Sequence, residues 1–141
     1  MPDIRSKRVL QLSFPARAAE LKRTRESVRE AVEACGCSSK STADIVLAID
    51  EACQNIIRHA YRGDSDNVIE LEVEHRGDRL VFSLIDHAPT IDPSKVKPRD
   101  LDDIRPGGLG TYFIRRVMDE VEFLRPASGR GNLLRMVRRI D

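Results

Sequence analysis

Residues 47–61 read LAIDEACQNIIRHAY, residues 84–89 read LIDHAP, and residues 107–118 read GGLGTYFIRRVM. The first stretch decides the fold, because its helical periodicity is the clearest in the chain. Ile45, Ile49, Ala52, Cys53, Ile56 and Ala60 recur at spacings of three and four and mark one side for burial. At about 100° per residue, Glu51, Asn55 and Arg58 gather on another side, with His59 at its edge. The helix thus packs by one face and presents Glu51 and Asn55, one turn apart, on the other. The third stretch is a glycine turn that opens directly into a helix, where unpaired backbone N–H groups favour an anion. A carboxylate and an amide on one helical face, with such a helix start, can hold a metal–phosphate unit.

Working outward, KRVLQLSF (7–14) predicts a first strand, with Val9 and Phe14 on one side and Leu10 and Leu12 on the alternate face. Pro15 is expected to open a helix reaching about Ala34, ended by Gly36. Ser38, Ser39 and Ser41 offer caps for the second helix, about 40–61, with Asp44 suited to its first turn. VIELEVEH (68–75) alternates as a half-buried strand, Arg76-Gly77-Asp78 reads as a hairpin turn, and RLVFSLID (79–86) as the antiparallel partner. Residues 87–107 carry Pro89, Pro93, Pro98 and Pro106 among many charges and predict a long loop. A helix at 108–118, a strand near 120–125, a Gly-rich turn at 128–131 and a strand at 132–140 complete the chain. Helices and strands do not alternate regularly, which argues against a doubly wound parallel sheet. The expected class is α+β: a two-layer sandwich, with a mixed, mostly antiparallel sheet and helices on one face.

The 141 residues suit one domain with a real core. With 24 Lys+Arg against 23 Asp+Glu, no net field favours nucleic acid. No apolar run reaches membrane-spanning length, and MPDIRSKR lacks an apolar signal region, so a cytoplasmic location is expected. Cys35, Cys37 and Cys53 are an odd set without a second ligand pair for a metal, and read as reduced thiols, with Cys53 buried.

Taken singly, these features are weak. Glu and Asn four apart on a helix usually serve solubility, Asp86 can simply start a turn, and a lone glycine turn has many uses. Taken together, in order and context, DEACQNIIRHAY, LIDHAP and GGLGTYFIRRVMDEVEF resemble the GHKL (Bergerat-fold) ATP-binding domain over about residues 40–139. Within that superfamily the compact chain is most similar to the anti-sigma factor serine-protein kinases of bacterial partner-switching systems. The resemblance implies ATP and Mg²⁺ as cofactors. It implies Asn55 as the ligand of the Mg²⁺ that bridges the phosphates, Glu51 as the general base, and Asp86 as the acceptor of the adenine amino group. Gly108 and Gly110 match the glycines at which backbone N–H groups approach phosphate. Ala88, Leu109, Thr111 and Asn132 complete the implied nucleotide-binding set. The loop at about 87–107 takes the place of a nucleotide lid, in which Arg105, beside the glycine turn, would stabilise charge on the transferred phosphoryl group. Lys95, Lys97 and Arg99 alternate there with Asp100, Asp102 and Asp103, so a solvated connection explains the same charges. His59 reads as a structural histidine at the edge of the site rather than a phosphoacceptor.

The implied function is an ATP-dependent serine/threonine protein kinase acting as an anti-sigma factor. It would phosphorylate a STAS-type anti-anti-sigma partner, sequester a sigma factor and form a homodimer, without contacting nucleic acid or membrane. The family's second box reads Asp-x-Gly-x-Gly, whereas here it is Asp86-His87-Ala88-Pro89-Thr90. That departure motivates the alternative of a non-catalytic, nucleotide-gated binding adaptor; retention of Glu51 argues against it, since binding needs no base. A phosphorelay histidine-kinase module is a third reading, but the chain has no room for a separate phosphoacceptor domain.

Overall fold

The computed structural model describes residues 6–89 and 109–141. Strand β1 (Ser6–Pro15) leads through a 3₁₀ turn (Ala18–Glu20) into α1 (Leu21–Ala34), then α2 (Ser39–Asn55) and a π-helical turn (Ile56–Ala60). The hairpin β2 (Val68–Arg76) and β3 (Arg79–Asp86) follows, and after the undescribed segment come α3 (Leu109–Val117), β4 (Glu120–Leu124) and β5 (Asn132–Arg139). The strands form one sheet in the order β1-β2-β3-β5-β4, and each neighbouring pair is antiparallel. Helix α2 lies between α1 and α3. The helices and one side of the sheet share a single core, giving the expected α+β sandwich.

Period-two alternation explains the sheet. Ile69, Leu71 and Val73 of β2 are fully buried, while Glu70, Glu72 and Glu74 between them take the other face. Their direct partners across the ladder, Leu84 opposite Leu71 and Phe82 opposite Val73, point the same way and are equally buried. Gly77, with φ of +60°, makes the tight turn that sets this register. Val28 and Val32 of α1, and Ile45, Ile49, Ala52 and Cys53 of α2, close the core from the helical side.

Three expectations are corrected. The helix placed at Pro15 begins only at Leu21, because the extended chain keeps pairing: Ala16 N–H donates to Asn67 O (2.7 Å) and Ser65 N–H to Ala16 O (3.0 Å). In β1 the ladder slips between Arg8 and Leu10. Beyond the slip the alternation is regular, so Leu10, Leu12 and Phe14 stand opposite Val73, Leu71 and Ile69 and share the core face, whereas the expectation had set Phe14 with Val9, which lies in the bulge. Asp44 does not serve the first turn of α2. Ser38 caps that helix by accepting Ser41 N–H at 3.1 Å, and Asp44 pairs with Lys40 at 2.9 Å.

The α2 periodicity changes at its C-terminal end. Tyr61 N–H reaches Ile56 O (3.0 Å) and Gly63 N–H reaches Ile57 O (2.7 Å), wider than α-helical bonding, before Arg62 and Gly63 turn the chain with positive φ. The three cysteines are free thiols; Cys53 is buried and its pKa is pushed up chiefly by that burial. Among the described residues no helix is long and apolar enough to cross a membrane.

Phe82 is fully buried at the centre of the sheet, whereas Leu47 on α2 is 54% exposed. Phe82→Ala is expected to cost about 3–5 kcal/mol in urea unfolding, and Leu47→Ala at most about 0.5 kcal/mol.

Candidate functional site

The implied site residues sit at three element ends. Asn55 is the last residue of α2 and Glu51 lies one turn before it. The sequence reading put both on a solvated face; in the structure Asn55 is 8% exposed and Glu51 half-buried, while Arg58 and His59 remain exposed. Desolvation and the nearby Arg58 charge lower the His59 pKa. Asn55 Oδ1 is buried and receives no hydrogen bond from any described residue. Burial of an amide oxygen without a donor costs about 1–3 kcal/mol. Among the described residues no group of three or more His, Cys, Asp or Glu can hold a metal ion. A single amide oxygen fits a hard cation that keeps most of its waters and takes its remaining ligands from phosphate.

Asp86 ends β3 directly opposite Asn132, the first residue of β5. Both are more than nine-tenths buried, at 5% and 6% exposure. Asn132 Nδ2 donates to Asp86 Oδ1 at 2.9 Å and to Pro89 O at 3.3 Å, and Ala88 N–H donates to the same Asp86 Oδ1 at 3.0 Å. Both bonds from described residues arrive at Oδ1, which leaves Oδ2 to accept from a ligand. Burial pushes the Asp86 pKa up; the Asn132 amide, the Ala88 N–H and the His87 charge pull it back. Ala88, where the family pattern has glycine, is buried, and its N–H closes this turn.

Helix α3 is oriented by its far end. Arg138 donates through Nη1 to Val117 O, at the C-terminus of α3, at 2.6 Å. The same guanidinium reaches Ser41 Oγ, at the start of α2, at 3.0 Å. Because the two helices pack together, they run antiparallel, and the N-terminus of α3 points toward the Glu51–Asn55 end of α2. Leu109, Gly110 and Thr111 form that first turn of α3. Gly108 and Arg105, with most of the lid, lie outside the described residues.

Sequence reasoning took Gly131 as a turn residue and overlooked Tyr61. A Cβ at Gly131 would lie 2.1 Å from the Asp86 backbone carbonyl oxygen, so a bare backbone is required beside the Asp86–His87 peptide. Tyr61 Oη contacts the His87 N–H, next to Asp86. Glycine directly before Asn132 was a visible signal for the first; nothing in the local sequence marks the second.

The fold is that of a histidine kinase-like ATPase domain. Residues 14–138 match the family described as histidine kinase-like ATPase domain, and the chain belongs to that family. Among curated proteins it is similar to the serine-protein kinase RsbW of Listeria innocua: 28% identical over 121 residues, covering 80% of this chain and 77% of the relative. The RsbU and RsbW domains of Rv1364c from Mycobacterium tuberculosis superpose with a TM-score of 0.65 at 20% identity, over 93% of this chain and 32% of that one. A chain of the SiaB–SiaC complex from Pseudomonas aeruginosa gives a TM-score of 0.65 at 18% identity, over 92% and 90%. At these identities the structural matches establish the shared fold.

Gly131→Ala is expected to lower stability by at least about 2 kcal/mol, from the clash with Asp86 and from strain at φ +78°. Gly129→Ala, at φ +77° with open space around it, should cost only about 1–2 kcal/mol of backbone strain; denaturant midpoints compare the two. The raised Asp86 pKa has a signed consequence. Between the ordinary aspartate range and the raised value, the folded state holds more protons than the unfolded chain, so stability falls as pH rises through that window. The unfolding free energy of Asp86→Asn minus that of wild type should therefore increase with pH across the window and level off above it. A difference that stays flat in pH-dependent urea titrations would contradict the shift.

Proposed function

We propose that this chain is an ATP-dependent serine/threonine protein kinase of the partner-switching type. It would transfer a phosphoryl group to a hydroxyl on a STAS-type anti-anti-sigma protein and, as a homodimer, sequester a sigma factor in alternation with that partner. The observation that carries this reading is the buried Asn55 Oδ1, without a donor from any described residue, one helical turn from the Glu51 carboxylate.

In this reading Asp86 reads the adenine amino group through Oδ2, while Asn132 and Ala88 hold Oδ1 in place. Asn55 Oδ1 would hold Mg²⁺, which when bound would neutralise charge on the phosphates. The N-terminus of α3, with Gly108, Leu109, Gly110 and Thr111, meets the phosphate oxygens with its free N–H groups. Glu51 takes the proton from the attacking serine or threonine hydroxyl, a role that needs an ionised carboxylate within hydrogen-bond reach of the nucleophile. Arg105 supplies positive charge to the transferred group. Phosphate on the partner adds charge and bulk to the shared interface and separates the two proteins. The similarity to serine-protein kinases RsbW supports the choice of a hydroxyl acceptor.

Calorimetry with ATP, with and without Mg²⁺, tests the first half of the proposal. Wild type is expected to bind more tightly with Mg²⁺, and Asn55→Ala to lose at least about tenfold of that affinity. Glu51→Ala should keep nucleotide affinity and lose about 10²–10⁴-fold in phosphorylation of the partner. Equal transfer by Glu51→Ala and wild type would remove Glu51 from the chemistry. Binding with no transfer by either would favour the nucleotide-gated adaptor.

A further inference from the structure

Tyr61 lies just beyond the π-helical turn, and its half-buried ring packs against the core. Its hydroxyl donates to Val68 O at 2.8 Å and accepts the His87 N–H at 2.6 Å. One oxygen therefore joins the end of the Glu51–Asn55 helix, the first residue of β2 and the residue that follows Asp86. The Asp86–His87 peptide is held at its N–H by Tyr61, and its carbonyl lies so near Gly131 that a side chain there would collide with it. Among the described residues, Tyr61 Oη is the acceptor found for that N–H. The His87 ring is anchored separately, with Nε2 2.9 Å from Glu70 Oε2.

Tyr61 closes the π turn, its N–H donating to Ile56 O at 3.0 Å. Burial, with the negative charges of Asp86 and Glu70, holds the phenol pKa above its ordinary value against the downward pull of the His87 N–H bond.

We infer that Tyr61 is a positioning residue: it clamps the Asp86–His87 peptide so that the Asp86 carboxylate is presented to the base in register with the Glu51–Asn55 helix. The inference rests on the nucleotide reading above. It adds a residue that touches neither phosphate nor metal but governs recognition of the base. Losing the hydroxyl leaves the His87 N–H without its acceptor and loosens the peptide, so that the carboxylate is held only by Asn132 and Ala88. Contacts to the triphosphate stay as they were.

Tyr61→Phe keeps the ring and removes one oxygen. Affinities for ATP and for inosine triphosphate, which carries a carbonyl oxygen in place of the adenine amino group, separate positioning from stability. Wild type is expected to prefer ATP. The variant should lose roughly tenfold in ATP affinity and about twofold or less for inosine triphosphate, so the preference collapses. An unchanged ATP preference, whether or not the melting temperature falls, means that Tyr61 only supports the fold and overturns the inference. Wild-type protein that binds neither nucleotide sinks the nucleotide reading itself, and the inference with it, an outcome visible without the variant. Amide hydrogen exchange provides a check on wild type alone. The His87 amide should be protected, and exchange at the rate of an unstructured peptide would show that the clamp does not exist.

Discussion

The site depends on one packing constraint: α2 must bury Ile45, Ile49, Ala52 and Cys53 between its neighbouring helices and the sheet. That side of the helix has no freedom to rotate, because each of these side chains is at most 1% exposed in a close-packed core. Asn55, on the same rigid helix, is carried into a desolvated position it would not choose alone. Glu51, one turn earlier, stays half-buried, within reach of both protein and solvent. The cost of an amide oxygen with no donor among the described residues is met by the packing of the rest of the helix.

The sheet contributes a second fixed point. The Gly77 turn sets the β2–β3 register, and that register puts Asp86 on the core face opposite Ile69, at the end of a column of apolar residues. A slip of one residue would send the carboxylate to the other face. The β3–β5 pairing brings Asn132 to the same level, and its amide replaces part of the hydration that Asp86 has lost. The glycines of the family pattern are absent from this turn, yet it closes. Ala88 donates its N–H within the turn, Pro89 accepts from Asn132, and the bare backbone is supplied from across the sheet by Gly131.

Most elements were legible because their periods were. The alternation in 68–86 and the three- and four-residue spacing in 45–56 follow from strand and helix geometry and need no tertiary information. One misreading falls where long-range pairing overrode a local rule: Pro15 is a good helix opener, but Ala16 is engaged by Asn67 and Ser65 from a distant turn. The faces of β1 were legible locally, since Leu10, Leu12 and Phe14 share one face by simple alternation; only the displacement of Val9 depends on the pairing with β2. Helical periodicity carried α2 on to residue 61, whereas hydrogen bonding widened after Asn55.

What the sequence by itself determined was the set of chemical groups and their order along the chain: Glu51 and Asn55 on a helix, Asp86 at a strand end, and a glycine turn before the last helix. These are local patterns, and local sterics and hydrophobic periodicity suffice to read them. Only the tertiary structure decided that Asn55 is buried, that α3 runs antiparallel to α2, and that Tyr61 and Gly131 meet the same peptide. The Tyr61 hydroxyl meets a residue 26 positions away, and the Gly131 backbone meets one still more distant. Such contacts depend on how whole elements dock, through sheet register and helix packing, which no window along the chain encodes.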